Sequence, residues 1–304
     1  MLACVLALSL SFGGAALAPN AHSRAPEDAT LSARPRRIVS LALSGDEILL
    51  ALADPERILA LETFIDDPQT SNDIEGARRV TGRIQQPIAA EKILAIEPDF
   101  VILPAWSDPH IGALLAMEGV PVHRLSAPSS IDDVRTQIRE LGAALEEEER
   151  AAMLIAHMDE RLEAVRARGM RRPVRPSVLL AAWSGITPAR GTLFCELVLL
   201  AGARCAAADA GLEGQANLPT EMLWMLDPDL ILTNRFRADG SARELIAESR
   251  IEDDPRFRTL RAVREGRVVD IPPAHLLATS HHVASLAEEL GDVLDDVARE
   301  AGAR

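Results

Sequence analysis

The sequence predicts an α/β protein of two similar lobes, each built on a mostly parallel central sheet, joined by one long α-helix. Three observations predict it. Residues 91–103, EKILAIEPDFVIL, are echoed at 221–233, EMLWMLDPDLILT, with Glu91 against Glu221, Pro98 against Pro228 and Asp99 against Asp229. Short apolar runs alternate with helical patterns on either side of residues 130–168, which carry no strand signal. Between the halves, Ala151, Leu154, Ile155, Met158, Leu162 and Val165 fall on one face of a helix whose other face is Glu, Asp and Arg. Each copy of the echo reads as a helix end, a Pro-Asp break and a buried strand, because proline cannot continue a helix and the run after it is short and apolar.

In chain order, residues 1–18, MLACVLALSLSFGGAALA, are apolar and uncharged. They read as the core of a secretory signal ending in Ala16-Leu17-Ala18, with a buried helix or a membrane anchor as the plainer alternatives. A polar linker, expected to be disordered, follows over 19–36. The first lobe is expected over 37–142. It opens with a strand from Ile38 to Leu43, a turn and helix cap at Ser44 to Asp46, and a helix through Ile48, Leu49 and Leu52. The strand RILALE, a polar loop TFIDDPQTSND, a strand-like turn RRVTG, a helix over 88–96, the strand FVILP, a helix past Trp106 and the strand VPVHRL complete it. The connecting helix is expected over 143–170 and the second lobe over 171–304. That lobe has a strand SVLLAA, a helix through Phe194 to Leu200, the repeated helix and strand, a helix around 242–247, a strand RVVDI and a final helix from His282 to Arg299. Alternation with short connections is the mark of a parallel α/β unit.

With 304 residues the chain has room for two domains with cores of their own, and 48% hydrophobic residues exclude a disordered protein. A formal net charge of -14 argues against nucleic acid and against anionic lipid, both of which select basic surfaces. Lys92 is the only lysine. Cys4 lies in the signal. Cys195 and Cys205 could be bridged in an exported chain, but two buried thiols, on a helix and the turn after it, are the preferred reading. No GxSxG, HExxH, P-loop or GxGxxG occurs, so catalysis is not expected.

The segments RIVSLALSGDEILLALAD, EKILAIEPDFVIL, IDDVRTQIRELGAAL, LVLLAGARCAAADAG, EMLWMLDPDLIL and DDPRFRTLRAVREGRVVDIPP stand in the order found in a known family. From about Arg37 to Leu290 the chain resembles the periplasmic binding proteins of ABC importers for cobalamin, ferric siderophores and haem, whose two Rossmann-like lobes are joined by a long helix. The resemblance implies an exported, soluble, periplasmic monomer without a cofactor of its own. It would capture a metal chelate, a ferric siderophore or cobalamin, between the lobes, close modestly, and deliver the cargo to a membrane permease dimer. It also implies that Glu91 and Glu221 meet arginines of that permease; the plainer alternative is acidic residues suited to a helix start. A haem or free-metal binder using His275, His281 and His282, and a sensor or chaperone module on the same fold, are the alternatives.

Ligands of open α/β sheets sit beyond the carboxyl ends of the strands. Trp106 and Trp183 follow strands at comparable places in the two lobes, where aromatic faces could hold a flat or apolar chelate; either could instead pack over its own sheet. Trp224, beside Leu223 and Leu226, reads as core. Ser44 ends the first strand, where the family places ligand-contacting backbone, with Leu43-Ser44 in place of a frequent Pro-Ser. Phe64 and Asp66 lie in the loop where cobalamin-binding relatives place an aromatic contact; the chain has no tyrosine. Arg235, or Arg237, could meet an anionic group of the ligand. His275 lies in a segment that often reaches the ligand in relatives. His281 and His282 could ligate metal, but adjacent histidines at a helix start are more often capping or surface residues. His110 and His123 are unconnected additions.

Overall fold

The computed structural model describes residues 34–181, 185–234 and 251–302. The first half holds β1 (Ile38–Ser40), α1 (Leu43–Leu52), β2 (Ile58–Glu62), α2 (Ile74–Ala77), β3 (Arg83–Ile84), α3 (Ala90–Leu94), β4 (Phe100–Leu103), α4 (Pro109–Met117), β5 (Val122–Arg124) and α5 (Ile131–Leu145). Its strands form one parallel sheet in the order β3-β2-β1-β4-β5. After α6 (Glu148–Met170) come β6 (Ser177–Leu180), β7 (Ile186–Pro188), α7 (Leu193–Leu200), β8 (Arg204–Cys205), α8 (Ala206–Asp209), β9 (Gln215–Asn217), α9 (Thr220–Leu226) and β10 (Leu230–Thr233). Then follow α10 (Arg261–Arg264), β11 (Val268–Asp270), α11 (Pro273–Leu276) and α12 (Val283–Gly302). Strands β11-β10-β6-β8 make a second parallel sheet, and β7 pairs antiparallel with β9. The expected helix around 242–247 lies outside the described residues.

The echoed Pro-Asp has the same role in both halves. The residue before each proline, Glu97 or Asp227, is left-handed, with φ of 51° and 33°. That conformation ends the helix, and the proline prevents its resumption. The aspartate then clamps the neighbouring strand. Asp99 accepts the N–H groups of Arg36 and Arg37, each at 2.8 Å, and its own N–H reaches the Arg37 carbonyl at 2.9 Å. Asp229 accepts the N–H and hydroxyl of Ser177 at 2.8 and 2.9 Å and returns its N–H to the Ser177 carbonyl at 3.0 Å. Burial pushes the Asp229 carboxyl up, but the Ser177 donors and the Arg261 guanidinium outweigh that and hold it below the usual range. The clamps set β4 beside β1 and β10 beside β6, four strands buried along their whole length.

Helix α6 spans about 34 Å at 1.5 Å per residue. Ala151, Met158, Leu162 and Val165 are buried, as the sequence periodicity requires. The residues expected to open it, 143–145, instead finish α5, and the chain turns through a left-handed Glu146. On the second half α6 is riveted to α12 by arginines. Arg161 forks onto Glu288 and reaches the Ser285 hydroxyl, Arg168 bridges Asp292 and Asp295, and Arg172 holds Asp295 and the Gly291 carbonyl. One hydrophobic cluster runs from Ile38, Ile48 and Leu52 through Leu141, Met158 and Leu162 to Val178, Leu197, Ala287 and Leu294.

Several expectations are corrected. Helix α1 begins at Leu43, capped by Ala42 without a side-chain bond, so Ser44, Gly45 and Asp46 form its first turn and not its cap. The cysteines are not two free thiols: Cys195 and Cys205 are bonded to each other, their Cα atoms 5.5 Å apart, joining α7 to β8. Trp224 is 38% exposed, stacked on Phe257 at 5.3 Å, and not core. Part of the expected linker is attached: Arg34 pairs with Glu147, and the Pro35 carbonyl accepts from Arg57 at 2.8 Å.

Two stability predictions follow from these contacts. A Cβ at Gly169 would stand 2.7 Å from the Ala201 carbonyl, a backbone group that cannot step aside. Gly169→Ala should therefore cost about 1–3 kcal/mol in urea unfolding, whereas Gly291→Ala, with its nearest neighbour 3.4 Å away, should be neutral or stabilising. Reducing the disulfide, which spans 10 residues, should cost about 3 kcal/mol by loop entropy, measured as the loss in unfolding free energy with and without reductant.

Candidate functional site

In each sheet the strand order reverses at one place. Successive strands run outward from β1 to β3 on one side and from β4 to β5 on the other, and the second sheet divides likewise between β6 and β10. Diverging connections leave a crevice at the carboxyl ends of such a pair, the usual ligand position in open α/β sheets. Trp106 follows β4 and Ser44 follows β1, so both flank the first reversal. Trp183 follows β6 and Arg235 and Arg237 follow β10 in sequence, but all three lie outside the described residues.

Trp106 is 70% exposed. The turn that carries it is held from below: the buried Ser107 hydroxyl donates to the Pro104 carbonyl at 2.8 Å, and Arg124 donates to the carbonyls of Pro104 and Ser107 and to the Ser107 hydroxyl. Fixing the backbone while leaving the indole outside suits a contact surface better than a core plug. Ser44 is half-buried, and the first N–H groups of α1 around it have no acceptor within the helix.

The loop after β2 carries Phe64, 52% exposed. Thr70 ties the loop, its hydroxyl donating to the Phe64 carbonyl at 2.6 Å. Asp66 is engaged already. Arg83 donates to both its oxygens at 2.7 and 2.8 Å, and those bonds hold its carboxyl below the usual range.

From the second half, the segment after β11 reaches the first. The Asn72 amide donates to the Ala274 carbonyl at 3.0 Å, and the Ser280 hydroxyl donates to Glu47 at 2.5 Å. The carboxyl ends of the two sheets therefore face each other. His275 lies on this segment, half-buried, with Nδ1 3.3 Å from Glu289. The rings of His281 and His282 stack at 4.1 Å. Burial, helped by His282, Arg161 and His157, drives His281 down to about 3, and burial also lowers His282. Among the described residues no three His, Cys, Asp or Glu side chains converge as a metal site. His110 opens α4 and His123 lies 3.8 Å from Glu140, away from the other histidines in sequence and pairing.

Glu91 and Glu221 occupy the same place in their lobes. Each is exposed in the first turn of the helix that leads into a Pro-Asp clamp, α3 or α9.

Sequence reasoning missed a set of buried acids beneath this surface: Asp46, Glu47 and Glu62. The signal was present, since apolar residues surround Asp46 and Glu47 on every side of α1. Asp46 accepts the Glu62 N–H at 3.1 Å. Full burial raises its carboxyl well above the usual range, against the bonds from Ser40 and Glu62 and with help from the neighbouring Glu62 and Glu47 charges.

Glu62 is pushed by burial from 4.5 to about 7, opposed only by the Phe64 N–H. A pKa raised on folding means the native state holds the proton more tightly. The stability this contributes is complete below about 4.5 and is lost as pH rises through 7. Glu62→Gln should therefore raise the melting temperature at pH 8.5 and change it little at pH 5. A pH-independent shift would contradict the assignment.

Comparison with known proteins bears on this geometry. The chain is 25% identical over 251 residues to a cobalamin-binding protein of Halobacterium salinarum, a match covering 81% of this chain and 66% of that protein, just under two thirds of its length. It is 23% identical over 274 residues to an uncharacterized ABC transporter substrate-binding lipoprotein, YvrC, of Bacillus subtilis, covering 88% of this chain and 82% of the relative. Its fold matches the periplasmic heme-binding protein RhuT from Roseiflexus sp. RS-1 with a TM-score of 0.73 at 24% identity, over 86% of this chain and 99% of that one. The family model described as periplasmic binding protein matches residues 38–275, and the chain belongs to that family.

Proposed function

We propose that this chain is the ligand-capturing component of an ABC importer, working outside the cytoplasm and without catalysis. Its cargo is a metal chelate, a corrinoid or a ferric siderophore, held between the facing carboxyl ends of the two sheets. The observation that carries this reading is Trp106: a large aromatic ring exposed at a strand-order reversal, on a turn that Ser107 and Arg124 hold rigid. Phe64, from the loop after β2, adds a second exposed ring on the same carboxyl side. Such surfaces suit a bulky, partly apolar ligand better than a bare ion. Ser44, Asp66, Trp183, Arg235 and His275 complete the proposed contacts, Asp66 acting mainly by ordering its loop through Arg83. The cobalamin-binding relative favours the corrinoid among the chelates.

Delivery in this reading uses Glu91 and Glu221 as paired feet on the permease dimer. Two exposed carboxylates at equivalent helix starts present like charge on both lobes to a two-fold partner. Charge pairs of this kind act on encounter and orientation more than on affinity.

The test is a titration of the purified protein, followed by tryptophan fluorescence, with cyanocobalamin, a ferric trihydroxamate, haemin and Zn²⁺. Saturable quenching by cyanocobalamin or the hydroxamate is expected, and Trp106→Ala should weaken it about tenfold or more. Response to haemin or zinc alone would replace the reading with a haem or metal-ion carrier, and response to none would favour a sensor or chaperone. The double variant Glu91→Arg, Glu221→Arg should bind the chelate normally and fail in cellular uptake; normal uptake would refute the docking role.

A further inference from the structure

Among the described residues, Glu47 is the most enclosed carboxylate that bonds across the two halves. It sits in the first turns of α1 and is 1% exposed. One oxygen accepts both the backbone N–H of Asn72, at 2.9 Å, and its side-chain amide, at 3.0 Å. The other accepts the hydroxyl of Ser280 at 2.5 Å, and Ser280 is itself fully buried. The same Asn72 amide also donates to the Ala274 carbonyl. The Ser280 hydroxyl in turn accepts the His282 N–H at 3.2 Å. Three donors converging on one buried side chain make directional bonds, and removing it strands all three.

What these bonds connect matters more than their number. Helix α1 carries Ser44 three residues before Glu47. Asn72 closes the loop that carries Phe64 and Asp66. Ala274 and Ser280 flank the segment that carries His275. The three segments come from the carboxyl ends of β1, β2 and β11, in both halves of the molecule. We infer that Glu47 is a positioning residue: its carboxylate holds the three segments that carry candidate ligand contacts in one fixed arrangement across the lobes, so that the contact surface is assembled before ligand arrives. The role in binding rests on the function proposed above; the role in holding the segments does not.

A preassembled surface avoids the entropy of ordering loops during binding. Glu47 need not touch the ligand. Its effect would be seen as local loosening of sequences far apart in the chain, Asn72 and Ser280 being separated by about the length of both lobes.

Amide hydrogen exchange on the full chain reads this directly. Glu47→Ala should speed exchange roughly tenfold in peptides covering 70–73 and 278–283, leaving β4 unchanged. Ser280→Ala, a milder variant in case the first does not fold, should speed the 278–283 peptide and spare 70–73. Glu47→Gln keeps an oxygen for the Asn72 donors but sets an amide N–H against the Ser280 hydroxyl, so it should keep wild-type exchange over 70–73 and speed it over 278–283. Unchanged exchange in Glu47→Ala and Ser280→Ala, or a rise spread evenly along the chain, would overturn the inference. In parallel, Glu47→Ala should weaken cyanocobalamin or ferric hydroxamate about tenfold, and Glu47→Gln, which keeps the Asn72 bonds only, should weaken it less. Absence of any chelate binding by the wild-type protein would sink the functional reading alone, since the exchange data still decide whether Glu47 holds the segments.

Discussion

A carboxylate at the base of each sheet sets the arrangement above it. The central strands have only three or four residues, so their ladders alone place few hydrogen bonds. Asp99 and Asp229 add charge-assisted bonds where the neighbouring strand begins, and each returns its own N–H to that strand. The clamp fixes which strands are neighbours and in what register. With β1 held to β4 and β6 held to β10, the connections at the opposite edge must diverge. The strand-order reversal that Trp106 and Ser44 flank in one lobe lies at the opposite end of the sheet from these bonds.

The lobes are not independent bodies on a flexible tether. Both pack on α6, and a single apolar cluster passes through it from one sheet to the other. Gly169 lets α6 meet the turn at Ala201 and Gly202 backbone to backbone, and the arginines of its second half hold α12 alongside. At the top, Glu196 accepts the Ile131 N–H at 2.9 Å, adding another bond between α7 and the start of α5. Large hinge motion would have to break buried apolar contacts and these bonds together. Small adjustments of loops on a stiff frame are the motion that this packing permits.

Much of this was legible in the residues. The two echoed segments, most strand runs and the apolar stripe of α6 depend on neighbours a few positions apart and appear where the pattern puts them; RRVTG is instead a turn before β3, and β1 ends at Ser40 rather than Leu43. Trp106 and Phe64 could be marked as candidate contacts because both follow strands, and both are exposed. The failures share a cause. Ser44 looked like a cap, but an N-cap is defined by where the backbone turns helical, and burial of α1 beside β1 moves that point to Leu43. Trp224 sits among leucines in sequence, yet α9 is covered on one side only. The short pair β7 and β9 lacks apolar alternation, since its strands join through backbone bonds at the edge of the lobe.

The residues alone thus determined two repeated α/β lobes, their order and the helix between them, because proline stereochemistry and apolar periodicity act over a few residues. The tertiary structure decided which polar groups are spent on the fold. Asp66 is taken by Arg83, the two cysteines are joined, Glu62 is buried enough to hold its proton near neutrality, and Glu47 meets a serine 233 positions away. No local pattern encodes such a pair, because its energy depends on desolvation and geometry that exist only once distant segments have packed.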